Sequence, residues 1–168
     1  MMEYSVVMSN ATIALSPVTK AFLVFVNPAA SGTTGKPNLN FIRMWMSQSS
    51  TSTSQQLPVL IQTVTTAFGT YTGNTPTPLK PAGPVSTIVT GTAGAAGTAG
   101  TNASVAATGT LTTMVSDSFN NLNGYLWVAT PKELITMPAG YNNGLGLGLI
   151  AAPSSLNNWS AGMIYSEE

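Results

Sequence analysis

The chain has no cysteine and no histidine, and few of its 168 residues are charged: five Lys or Arg and five Asp or Glu, for a net charge of zero. Without cysteine there can be no disulfide, no thiolate metal site and no cysteine nucleophile. Without histidine the commonest general base and the commonest metal ligand are missing. The charged fraction is 6%, against about 25% in an average soluble protein. The cations Lys20, Lys36, Arg43, Lys80 and Lys132 are scattered along the chain, so no phosphate-tracking stripe forms and no nucleic-acid partner is expected. Long apolar runs are absent too. Ala21 to Val26 stops at Asn27-Pro28, far short of the roughly 20 residues of a spanning helix, so no membrane partner is expected. Met1 to Tyr4 carries no basic n-region, and no signal peptide is expected.

What remains is enough for a folded core. Hydrophobic residues make up 43% of the sequence, and a chain of this length buries roughly 70% of its unfolded surface as one domain. Its polar surface must come from Ser, Thr, Asn, Gln and backbone. Most soluble proteins keep a net charge that opposes self-association, but on neighbouring copies in a dense array like charges would repel. A neutral, hydroxyl-rich surface therefore suits an array, although secreted β-proteins and tail components share this composition.

Short strands punctuated by turn residues run through the chain, as in a sandwich or barrel. Glu3 to Met8 and Ala11 to Leu15 are β-compatible, with residues 1–10 a candidate N-terminal arm. Ala21 to Val26 reads as a strand buried on both faces. Leu39 to Ser47 alternates and ends its second face in Met44 and Met46, which predicts a central strand. In Leu57 to Phe68 the apolar positions shift from Val59 and Ile61 to Val64, which predicts a bulge near Gln62-Thr63. Residues 70–84, with Pro76, Pro78, Pro81 and Pro84, form an irregular connection, and Val85 to Thr90 suggests a short strand. Gly91, Gly94, Gly97 and Gly100 then recur every third residue, and with no proline the stretch 91–109 reads as a long ordered Gly/Ala/Thr-rich loop rather than a polyproline-type helix. Strands are expected at Leu111 to Ser116, Tyr125 to Ala129, Leu134 to Met137, Leu145 to Leu149 and Trp159 to Tyr165. Asn123-Gly124 is a tight-turn signal. In Gly144 to Leu149 the leucines point inward and leave a bare backbone face that a neighbour can approach closely. The total is eight to ten strands and no helix, an all-β, single-domain antiparallel β-sandwich over residues 1–168.

Catalytic constellations do not assemble from this sequence. The carboxylates are Glu3, Asp117, Glu133, Glu167 and Glu168. Asp117 with Glu133 is the only interior pairing that could serve a glycosidase, and Asp117 reads more simply as a backbone cap or turn and Glu133 as a surface residue. The serines lack a base. Gly32 to Pro37 glances at a phosphate loop, but Ala30 stands where its first glycine would be and Pro37 where its magnesium-binding hydroxyl would be. Sequons at Asn10, Asn102 and Asn158 fit chance in a chain this rich in Asn, Ser and Thr. No catalytic residue, cofactor or metal is expected. Trp45, Trp127 and Trp159 sit inside strand patterns and read first as core, with an exposed Trp binding carbohydrate as the alternative.

Several segments carry a resemblance when taken together. They are Phe41-Ile42-Arg43-Met44-Trp45-Met46-Ser47-Gln48-Ser49-Ser50-Thr51 with Ser54-Gln55-Gln56, the glycine-rich stretch from Gly91 to Ser104, Asp117 to Pro131, Leu149 to Pro153, and Trp159-Ser160. In this order, over roughly residues 36–166, the chain resembles a group of small phage and prophage virion structural proteins. The resemblance implies a jelly-roll-like β-sandwich in the virion, without catalytic residues. The leading expectation is a decoration or cement protein on the capsid surface, partnered by the major capsid protein and by itself as a homodimer or homotrimer. The alternatives are a tail- or fibre-associated protein binding host glycan through an exposed Trp or Tyr, and a bacterial surface module. Segment 1–10 and loop 91–109 are the expected assembly arms, with Gly91, Gly94, Gly97, Gly100, Thr101 and Asn102 as contact residues. On that reading, deleting residues 92–100 abolishes particle binding and spares the fold.

Overall fold

The computed structural model describes residues 1–13, 21–27, 37–64, 69–88, 98–104, 110–138 and 144–168. Among them are twelve strands and no helix: β1 (Met2–Ala11), β2 (Ala21–Asn27), β3 (Leu39–Gln48), β4 (Gln56–Val64), β5 (Thr72–Gly73), β6 (Thr77–Pro78), β7 (Thr98–Ala103), β8 (Leu111–Asn120), β9 (Tyr125–Val128), β10 (Ile135–Met137), β11 (Gly144–Leu149) and β12 (Trp159–Glu167). One sheet runs β10-β3-β12-β1-β6, with β9 also on β3; the other runs β5-β7-β2-β11-β4-β8, and every pairing is antiparallel. If β9 and β10 are taken as one interrupted strand and the inserted β5, β6 and β7 are set aside, eight strands remain. They are ordered first-eighth-third-sixth in one sheet and second-seventh-fourth-fifth in the other, which is the strand order of a jelly roll.

Alternation along the strands builds the core between the sheets. Across the first sheet the inward rows are Tyr4–Tyr165–Phe41–Ile135, Val6–Met163–Met44–Trp127 and Met8–Ala161–Met46–Tyr125. Opposite them stand Leu23, Val24 and Val26 of β2, Leu145, Leu147 and Leu149 of β11, and Leu57, Val59 and Ile61 of β4. The inward leucines of β11 match the sequence reading. The bare face behind them is filled from within: a Cβ on Gly146 would lie 2.4 Å from the ring of Phe22, and one on Gly100 would lie 2.7 Å from Phe25 and 2.6 Å from Tyr71. Phe22, Phe25, Val64 and Ala103, with Tyr71 and Leu111, thereby make a second apolar cluster on the outer face of this sheet. Burial of β2 on both faces follows from the two clusters.

The same cluster corrects the bulge expected in β4. Val64 is apolar at an even position because it points to the outer cluster, and β4 pairs with β11 without interruption from Val59 to Val64. The register shift opposite Ile61 and Gln62 belongs to β8, where Met114 is the extra residue. In β3 the alternation changes phase between Phe41 and Arg43, so Leu39 and Phe41 face inward, then Met44 and Met46. The strand is central, as expected.

Of the two segments expected to be arms, the first and the described middle part of the second are strands. Residues 2–11 form β1, paired with β12 over nearly its whole length and with β6 on its other edge. Of the stretch 91–109, residues 98–103 form β7 between β2 and β5, while 91–97 and 105–109 lie outside the described residues. Ala99 is fully buried in the core, so deleting 92–100 would damage the fold it was meant to spare. Val85 to Ile88 is not a strand, and Val89 and Thr90 lie outside the described residues. β8 continues through the polar stretch to Asn120, and the turn at Asn123-Gly124 forms with Gly124 at φ +73°.

A polar network ties one end of the sandwich together. Asn121, fully buried, accepts from the Gln55 amide (2.8 Å) and donates to Gln48 Oε1 (3.2 Å) and the Thr53 carbonyl (3.1 Å). Gln48 in turn donates to the Ser155 carbonyl at 2.7 Å, and Trp159 Nε1 donates to the same oxygen at 3.0 Å. At the opposite end Glu167 accepts from Ser86 Oγ and the Thr87 amide, while Ser86 Oγ and Tyr165 Oη lie 2.8 Å apart. Burial raises the Tyr165 hydroxyl well above its ordinary pKa, and burial with the Glu167 charge raises that of Tyr4. A pKa raised on folding stabilises the fold fully below the unfolded value of about 10, and that stability is lost as pH rises past it. The protein is therefore expected to lose stability steeply above about pH 10. Ultraviolet titration of tyrosinate should show part of the signal appearing only with unfolding; complete, reversible ionisation in the folded state would contradict this.

Candidate interaction surface

Of the residues singled out in sequence, those that the structure describes lie in a strand rather than on an exposed loop. Gly91, Gly94 and Gly97 lie outside the described residues. Gly100, Thr101 and Asn102 are in β7, where Gly100 makes room for two rings, Thr101 is buried, and Asn102 at φ 55° donates to the Thr12 carbonyl. They build the second sheet rather than an exposed contact loop.

The acids are likewise committed locally. Asp117 lies in β8 rather than in a turn, opposite the inward Val59, and accepts from the Ser118 amide at 2.7 Å. Its charge, after burial, raises the pKa of Tyr125. An inward-side charge and the Met114 bulge both protect an edge strand against unwanted pairing, and β8 is the last strand of its sheet. Glu133 accepts from Thr130 Oγ1 at 2.8 Å in a tight turn. Among the described residues no three His, Cys, Asp or Glu side chains gather in a way that could hold a metal ion.

The three tryptophans have three different environments. Trp159 is fully buried. Trp127 is half-buried in a groove of about 660 Å³ between the sheet edges, beside Met114, Val115, Glu133, Leu134 and Ile135. Trp45 lies on the outer face of the first sheet with its ring against Gly162, where a Cβ would be 2.2 Å from it. Only the absence of a side chain at Gly162 allows that approach.

That outer face carries three rows across four strands: Val7–Gly162–Trp45–Leu126, Ser5–Ile164–Arg43–Val128 and Glu3–Ser166–Asn40–Thr136. The first two rows leave Leu126 63%, Val128 50% and Val7 40% exposed, a contiguous apolar surface with Arg43 as its one charge. The third row is polar and opens into a pocket of about 520 Å³ that Asn38, Ile42, Leu134 and Glu168 also line. Sequence reading missed this face. Alternation alone places Val7, Trp45 and Leu126 outward, but only the register sets them side by side. No family model, curated protein or solved structure matches this chain.

Among the described residues no helix is long and apolar enough to cross a membrane.

Proposed function

We propose that this chain is a phage virion structural protein, a decoration or cement protein that binds major capsid subunits and neighbouring copies of itself at the capsid surface. The observation that carries the reading is the outer face of the first sheet, where Val7, Trp45, Leu126 and Val128 form an exposed apolar surface on a chain of zero net charge. Contiguous exposed apolar surface marks an interaction site, and a neutral chain can be packed in many copies without accumulating repulsion. The jelly-roll strand order supports the reading, since capsid proteins use it, although lectin domains share it. The sequence resemblance points the same way.

Quantitative mass spectrometry of purified particles tests the proposal by counting copies against the major capsid subunit. Near-stoichiometric copies support it. A handful per particle would move the protein to the tail or a vertex, and none would overturn the virion assignment. Leu126→Lys with Val128→Glu alters two exposed side chains, so the melting temperature should stay within a few degrees of wild type while particle binding falls at least tenfold. Unchanged binding by this variant would exclude the outer face as the contact.

A further inference from the structure

The polar end of the outer face holds an unexplained buried group. Ser166 is 1% exposed, and among the described residues its Oγ has no hydrogen-bond partner. A buried polar atom left unpaired costs free energy, and such atoms are rare in native proteins. Tyr165 and Glu167 point inward, so alternation turns Ser166 outward, where it lines the 520 Å³ pocket. Its row neighbour Asn40 is also buried and accepts from Thr136 Oγ1 at 2.8 Å. That bond uses the amide's acceptor side and leaves donor capacity on Nδ2. Glu168 adds a carboxylate that can only accept, and Ile42 and Leu134 add an apolar wall.

We infer that this pocket binds a neutral saccharide unit, held by Ser166, Asn40 and Glu168 with its C–H face against Ile42 and Leu134. The donor and acceptor pattern selects the ligand class. Asn40 Nδ2 needs an acceptor and the Glu168 carboxylate needs a donor, while Ser166 Oγ can serve as either. A ligand bearing several hydroxyls satisfies all three. An ammonium group cannot accept from Asn40. The lining, which also includes Met1, offers no Lys or Arg side chain to balance a phosphate or a carboxylated sugar against Glu168. A volume of 520 Å³ falls within the roughly 300–1,000 Å³ of small-molecule sites. The site is separate from the tryptophans and does not depend on the capsid assignment, so either can fail alone.

Saturation-transfer difference NMR on the whole protein, with glucose, galactose, rhamnose and N-acetylglucosamine as probes and sialic acid as an anionic control, tests the inference. At least one neutral sugar should bind, and sialic acid should not. Ser166→Ala and Glu168→Gln should each weaken that binding at least fivefold. Ser166→Ala removes a hydroxyl that has no partner among the described residues, so its melting temperature should hold or rise; loss of binding is then not loss of fold. Binding of sialic acid alone, no binding of any neutral sugar, or neutral-sugar binding untouched by both variants would each overturn it.

Discussion

Replacing Trp159 with alanine is expected to destabilise the protein by about 3–5 kcal/mol, as for other fully buried large aromatics. Two losses combine. The indole is fully buried in the core between β1 and β3, so its removal leaves a cavity that the surrounding β-strands cannot collapse to fill. Its Nε1 also donates to the Ser155 carbonyl, which would keep Gln48 as its only described side-chain donor. Against a typical total stability of about 5–15 kcal/mol, this leaves a large unfolded fraction at 37 °C where the wild type lies at the lower end of that range. Trp127→Ala and Trp45→Ala are the controls. Both rings are half-buried, and each substitution should cost about 1–2 kcal/mol by the area it uncovers. Urea unfolding followed by circular dichroism measures all three, and the slope with denaturant should be unchanged if only native contacts are lost. An effect of Trp159→Ala no larger than the other two would contradict the assigned core.

Asn121→Ala should rank next, at about 3 kcal/mol. The side chain is fully buried and makes three hydrogen bonds, to the Gln55 amide, Gln48 Oε1 and the Thr53 carbonyl. Alanine leaves all three groups without this partner in a place water reaches poorly, and each unsatisfied group costs about 1–3 kcal/mol before relaxation. The pair Asn121 and Gln48 should couple. In a double-mutant cycle with Gln48→Ala the second substitution should cost less than it does alone, since part of the network has already gone. Strict additivity, or a loss below about 0.5 kcal/mol for Asn121→Ala, would show that water replaces these bonds and that the network does not hold the loops. Asn120→Ala, on an exposed neighbour that bonds Ser54 Oγ, should cost little.

Gln48, Gln55, Asn121 and Trp159 come from separate segments of the sequence, and they meet at one end of the sandwich. The β3–β4, β8–β9 and β11–β12 connections are held there by side-chain amides rather than by ion pairs, consistent with a chain that carries so few charges. Their polar residues are therefore needed to close the fold, whatever the protein binds.

Local chemistry alone determined much of this protein. Alternation marked β3, β4 and β11, and Asn123-Gly124 marked its turn. Those features are legible because a strand's period and a turn's φ requirement act over a few residues. Strand partners were not legible. Residues 98–103 carry too few large apolar side chains to announce a strand, and Glu3 to Met8, though β-compatible, named no partner; β1 and β7 are held by pairing to β12 and β2, far away in the chain. Gly100 read as loop, Gly146 as bare backbone and Gly162 as an ordinary strand position, and their role as seats for Tyr71 and Phe25, Phe22 and Trp45 depends on a register that no local window contains. The same holds for both candidate surfaces. Val7, Trp45 and Leu126, like Ser166, Asn40 and Thr136, are ordinary outward residues on their own strands, and only the jelly-roll order sets each group side by side, because cross-strand neighbours are chosen by packing of the whole core.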